Sequence, residues 1–316
     1  MKRVLFGGIW LVLCVAGGIL GMLALASLAL HHRLRLEPHM VRLGAEVGLD
    51  VFAILLCFGR LPGARGPAGG AERNFGPWQA VAGVAGFGVM MIAGGVAVYN
   101  LLFVEDLLLH ALHIPRQVDF AKIEVLVVTA VVGELAAALW ISWYLRGLGE
   151  ARLTDGSPAG IGWRQPAAGG YRAAAFAAAI IIGLVMILYH FVPPDMQALQ
   201  DLPDAKLFQG PGWTLAPVLL LAVLLAPVLE EFVFRGVGFA GIAARLGPVW
   251  AGVITTALFM AVHAPEKLHY PAGFIDVGLM AAAACWLRVQ YGSIRPGILL
   301  HILYNGGLMA AAGIVH

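Results

Sequence analysis

The chain has 316 residues, 60% apolar by type and 12% charged, with 20 basic against 18 acidic side chains and a formal net charge of +2. A soluble globule carries roughly 25% charged residues, and a mean hydropathy of +0.86 exceeds what a solvated or disordered chain tolerates, so both are excluded. The balanced charge also argues against a nucleic-acid partner, which needs a concentrated basic face. What remains is an all-α, polytopic integral membrane protein with the lipid bilayer as its solvent.

A membrane helix needs about 20 mostly apolar residues, and runs of that kind separated by Pro, Gly and charge predict eight or nine spans. In chain order they are Val4 to Leu30, Val41 to Phe58, Trp78 to Val104, Ile123 to Leu145, Ala173 to Val192, Leu215 to Ala243, Val249 to His263, Gly273 to Val289 and Pro296 to Val315. The first follows Lys2 and Arg3 and is too long for the apolar region of a signal peptide, so it is read as uncleaved. The second holds Glu46 and Asp50, each costing about 2.5–3.5 kcal/mol at a helix centre, so it either packs against neighbours or lies along the interface. Arginines in the connections Gly59 to Pro77 and Arg146 to Arg172 mark a cytoplasmic face, where Arg288 and Arg295 also fall. Acid-rich segments at Glu105 to Asp119 and Pro193 to Gly212 mark the opposite one, while Arg33 and Arg35 fit this alternation poorly. Trp163 reads as an interfacial anchor or part of a surface segment, and His110 and His113 as loop residues. Cys14, Cys57 and Cys285 are scattered in apolar segments and form no disulfide or metal pattern.

Residues 1–192, carrying spans one to five, hold few converging polar groups, whereas residues 193–316 carry most of the intramembrane chemistry. The sixth span reads LLAPVLEEFVFRG. Glu231 and Arg235 are spaced i, i+4 with the acid first, so they can pair. Glu230 points about 100° away and has no cation within the helix. An unpaired carboxyl in apolar surroundings has its proton affinity raised and suits general acid–base work. Pro227, one turn upstream, is expected to kink the helix near it. Phe259 and His263 close the seventh span, and His301 and Asn305 share a face of the ninth.

Together these residues suit amide hydrolysis by water. Glu230 would take the proton of a water placed by His263, and His301 and Asn305 would donate to the oxyanion. The four serines lack a nucleophile setting and no HExxH occurs. No cofactor is required on this reading; zinc held by Glu230, His263 and His301 is the alternative. Asp50 and Asp276 lack the motif that a paired-aspartate mechanism would need. Two other classes stay open: a non-catalytic immunity or scaffold protein, and a proton-coupled transporter using Glu230 and Glu231.

The triplet Glu230-Glu231-x-x-x-Arg235, Phe259-x-x-x-His263 and His301-x-x-x-Asn305, on successive hydrophobic segments, resembles the CAAX prenyl protease type II (Abi, CPBP) family over about Leu215 to Val315. The resemblance implies an intramembrane endopeptidase of the glutamic type, a family long grouped with the metalloproteases, with Glu230, His263, His301 and Asn305 at the catalytic positions. Glu231, Arg235 and Phe259 would support them. It implies a membrane-associated protein or peptide substrate, prenylated in some relatives, while others are maturation or bacteriocin-immunity proteins. The cytoplasmic (inner) membrane of a bacterial-type cell is the expected location. Oligomeric state is not legible.

Overall fold

The computed structural model describes residues 75–114, 122–194, 206–208, 210 and 212–311. The expected spans Val4 to Leu30 and Val41 to Phe58 lie outside the described residues. The described chain is helical: α1 (Pro77–Ala111), α2 (Ile123–Leu148), the short α3 (Glu150–Thr154), α4 (Gly170–Phe191), α5 (Gly212–Leu220), α6 (Ala226–Glu230), α7 (Phe239–Val262), the short α8 (Ala264–Lys267), α9 (Gly273–Tyr291) and α10 (Arg295–Ala311). Two π-helical stretches, Leu221–Leu225 and Glu231–Gly238, join α5, α6 and α7 into one helical run.

Five described stretches are long and apolar enough to cross a membrane: Pro77–Ala111, Ile123–Leu148, Gly170–Phe191, Trp213–Val262 and Gly273–Tyr291. Their outer faces expose Leu101, Leu139, Phe176, Phe191 and Val249, side chains that suit hydrocarbon rather than water. The 50-residue stretch is interrupted at Gly247, whose φ of 80° and ψ of 170° leave the helix. Only glycine takes that backbone readily, and Pro248 disfavours helical geometry in the residue before it. The break falls in the gap the sequence predicts between the spans ending at Ala243 and beginning at Val249.

Helix α1 runs further than expected, carrying Glu105, Asp106 and His110 within it rather than in a loop. Its 35 residues extend about 52 Å at 1.5 Å per residue, well beyond a hydrocarbon core of about 30 Å, so its polar end has room to emerge.

Residues 85–140 form one compact unit, with Phe87, Ala93, Val98, Val127, Ala137 and Trp140 buried. Residues 75–84 and 141–311 form the other. Within the latter, α10 packs most extensively against α4, and α9 packs against α7, α10 and α4. Small side chains make these approaches close: Ala281 and Ala284 of α9 and Ala174 and Ala178 of α4 are buried, the pattern expected where lipid supplies no hydrophobic drive and packing must.

The segment joining α3 to α4 is fastened into this unit. Arg288 is 1% exposed; it donates through Nη1 to the Gly156 carbonyl (3.2 Å) and through Nη2 to those of Ser157 (2.8 Å) and Gly160 (2.7 Å). Trp163 stands under the Arg295 guanidinium, 4.3 Å from its ring centroid, with the Phe232 ring 4.9 Å away. Arg288 packs inside the protein, where its guanidinium gathers carbonyls that no helix satisfies, and the half-buried Trp163 packs against Arg295 and Phe232.

Candidate active site

Glu230 ends α6 and Glu231 opens the second π-helical stretch. The sequence predicts a kink at Pro227, and ahead of that residue the backbone widens into a π-helical stretch. Ala226 N–H bonds back to the Leu221 carbonyl, five residues earlier. In that pattern the Ala222 carbonyl would accept from residue 227, but proline has no N–H. Asn305 supplies the missing donor, its Nδ2 reaching the Ala222 oxygen at 2.8 Å. Asn305 therefore joins α10 to the widened turn just ahead of the two glutamates.

The expected Glu231–Arg235 pair is present: Arg235 Nη1 lies 2.9 Å from Glu231 Oε1, both side chains 0% exposed. Phe259 caps the pair from α7, with its ring centroid 4.4 Å from the guanidinium carbon. The same ring touches both histidines, at 4.6 Å for His263 and, edge-on, 5.7 Å for His301. Phe259 is thus the shared wall of the site.

His301, 3% exposed, stands between the two acids. Its Nδ1 lies 3.3 Å from Glu231 Oε1 and its Nε2 3.8 Å from Glu230 Oε2. Helical spacing gives Glu230 no counter-group, and the structure corrects this: the imidazole arrives from α10, far along the chain. A carboxylate accepts only, so Nδ1–H donates to Glu231. At 3.8 Å the approach of Nε2 to the Glu230 carboxyl is too long for a hydrogen bond and becomes an ion pair when the ring is protonated. Gly297, one turn before His301, lets α10 approach. A Cβ there would sit 2.8 Å from Glu231 Oε2, closer than real Cβ contacts.

The two acids differ in access. Glu231 is sealed, whereas the Glu230 side chain keeps 21% of its surface exposed. His263 is half-buried, and its Nδ1 lies 2.8 Å from the Phe259 carbonyl. A carbonyl cannot donate, so Nδ1 carries the hydrogen and Nε2 presents a lone pair when the ring is neutral. Among the described residues, no three His, Cys, Asp or Glu side chains are grouped to hold a metal ion, Glu230, His263 and His301 included.

Sequence spacing alone misses Gly297, the Phe232–Trp163–Arg295 stack and the Asn305–Ala222 bond. The first two leave only a Gly in RPG and a Trp in GIGWR as signals. The third is readable in principle from Pro227, which must leave an upstream carbonyl unsatisfied.

Among helices with apolar outer faces, two carboxylates, a guanidinium and two imidazoles gathered around one phenyl ring mark a candidate functional site of a membrane protein. Comparison with protein families is more specific: residues 212–307 match the family described as Type II CAAX prenyl endopeptidase Rce1-like. The matched region contains all seven motif residues and is preceded by 211 residues it does not cover. No curated protein and no solved structure matches the chain.

Proposed function

We propose that the protein is an intramembrane endopeptidase that hydrolyses a peptide bond of a membrane-associated protein or peptide, of the CAAX type or a related maturation substrate, by water activated at Glu230. The observation that carries this reading is the contrast between the adjacent acids. Glu231 is sealed and neutralised by Arg235, while Glu230 reaches the accessible side of the cluster with the His301 imidazole 3.8 Å away.

Water bound at Glu230 and His263 gives one hydrogen to each acceptor, the Glu230 carboxylate and His263 Nε2, which turns an oxygen lone pair toward the substrate carbonyl. Glu230 takes a proton as the O–C bond forms. The tetrahedral oxyanion receives hydrogen bonds from His301 and from the second Nδ2 hydrogen of Asn305, each such donor being worth about 2.7–4 kcal/mol in comparable sites. As the C–N bond breaks, Glu230 returns the proton to the leaving amine. Glu231 accepts from His301 Nδ1–H and holds the ring so that, when it is protonated at both nitrogens, its Nε2–H is the one that donates to the oxyanion, and Arg235 holds Glu231 through their ion pair. No cofactor enters these steps. The family match supports an endopeptidase and a CAAX-type substrate; the inner membrane of a bacterial-type cell is the proposed location.

Purified protein in bilayer discs, incubated with a labelled peptide library with and without a chelator, tests this by mass spectrometry. Cleavage that survives chelation is expected. Loss on chelation points to the metal alternative, and no cleavage with retained partner binding or solute flux points to the scaffold or transporter readings.

A further inference from the structure

A second buried acid in the same unit does not take part in the steps above. Asp276, in the first turn of α9, is 1% exposed. Tyr189 of α4 donates its hydroxyl to Asp276 Oδ2 at 2.5 Å. Tyr304 of α10, buried, faces the same carboxylate. Lys267 places its ammonium 3.9 Å from Oδ1. Four elements therefore meet at one carboxylate.

Two of those partners border the proposed catalytic groups. Lys267 ends α8, whose first turn hangs from His263, and the Lys267 N–H donates to the His263 carbonyl at 3.0 Å. Tyr304 stands between His301 and Asn305 on α10, three residues after the first and one before the second. The same end of the unit is tied a second time: Tyr270 donates to the Val192 carbonyl, and its ring meets Tyr189 edge-on with centroids 5.4 Å apart. A buried charge is costly to keep, and well-packed apolar residues often hold helices together as well or better. What a carboxylate adds is direction, since the tyrosine hydroxyls meet it at fixed angles and the Lys267 ammonium, 3.9 Å from Oδ1, is held by charge.

We propose that Asp276 is a positioning residue: through Lys267 it fixes the turn that begins at His263, and through Tyr304 it fixes the helix that carries His301 and Asn305. The proposal rests on the endopeptidase reading for its catalytic consequence, but the positioning is measurable without it.

The test uses the full chain in bilayer discs, with Asp276→Asn and Lys267→Met alone and together, and Tyr189→Phe as a milder variant that keeps the ring. Hydrogen exchange read by mass spectrometry is expected to rise about tenfold or more over 264–272 in Asp276→Asn and Lys267→Met, less in Tyr189→Phe, and under about twofold over 275–290. Misplacing His263 by about 1 Å should lower kcat on the order of ten- to a hundredfold with KM within about twofold. The double variant should be no worse than the worse single one, since both remove one link. Unchanged exchange over 264–272 overturns the proposal, as does a rise spread evenly over all helices, which marks general loosening. So does an unchanged kcat with the segment loosened. Failure of the wild type to cleave any peptide overturns the endopeptidase reading instead, and the exchange pattern then decides the positioning alone.

Discussion

Replacing each neighbouring glutamate by glutamine should produce two different proteins. Glu231 forms a 2.9 Å ion pair with Arg235, both side chains 0% exposed, so Glu231→Gln strands a guanidinium in the interior. Breaking a buried pair from one side costs about 3–5 kcal/mol, which lowers the Tm by on the order of 10 °C in a protein of this size. Glu230 is 21% exposed at its side chain and faces His301 at 3.8 Å, beyond hydrogen-bond range. Glu230→Gln keeps the volume and removes no sealed ion pair, so its Tm should stay within about 2 °C of wild type. Its cleavage rate should fall about 10²–10⁴-fold, the contribution of a positioned general base. Thermal unfolding in detergent, followed by tryptophan fluorescence, and cleavage of a reporter peptide give both numbers on one preparation. Equal destabilisation by the two substitutions would refute the division of roles, as would Glu231→Gln with an unchanged Tm.

Three further outcomes follow from the same geometry. Gly297→Ala puts a Cβ 2.8 Å from Glu231 Oε2, where the acid is pinned on both sides; overpacking of about 1–3 kcal/mol and a slower cleavage rate are expected from Tm and kcat, and a wild-type profile would mean that α10 yields without consequence. Asn305→Ala orphans the Ala222 carbonyl at a cost of about 1–3 kcal/mol. Pro227→Ala restores an N–H there, so the stability lost with Asn305 should shrink in that background; equal losses in both would disprove the shared carbonyl. In the segment after α3, partial burial pushes the Asp155 carboxyl up, but hydrogen bonds from the Ser157 backbone and hydroxyl and the charges of Arg288 and Arg152 outweigh it and hold the group below its usual value. Its stabilising contribution is therefore complete above the unfolded aspartate pKa and is lost as pH falls through the lower folded one. Proteolytic nicking of 155–164 should rise as pH falls below the ordinary aspartate value of about 3.9 and stay flat from about 5 to 8, a dependence that Asp155→Asn should abolish.

Much of the described architecture is legible in the sequence because membrane helices announce themselves by length and hydropathy. The expected segments from Trp78 onward recur as helices, and LGPVW marks the break at Gly247 through its Gly-Pro pair. The site motifs are legible as residue types at helical spacings, which is why Glu231 and Arg235 are found paired as the i, i+4 rule requires. Relations between distant helices are not. The imidazole facing Glu230 lies on α10, the three carbonyls that hold Arg288 lie in a loop before α4, and Asp276 gains its polar neighbours from α4, α8 and α10. Spacing within one helix carries no information on these contacts. The π-helical widening ahead of Pro227 is equally silent, because it involves how Pro227 and Asn305 resolve one unpaired carbonyl after the helices have packed.

The most direct measurement compares wild type, Glu230→Gln and His263→Ala in the same bilayer discs on one membrane-associated peptide bearing a CAAX-type end, with the two product fragments identified by mass spectrometry. Both fragments should accumulate with the wild-type protein, and neither variant should produce them at more than about a hundredth of its rate. Fragments formed at wild-type rates by both variants would contradict water activation at this acid.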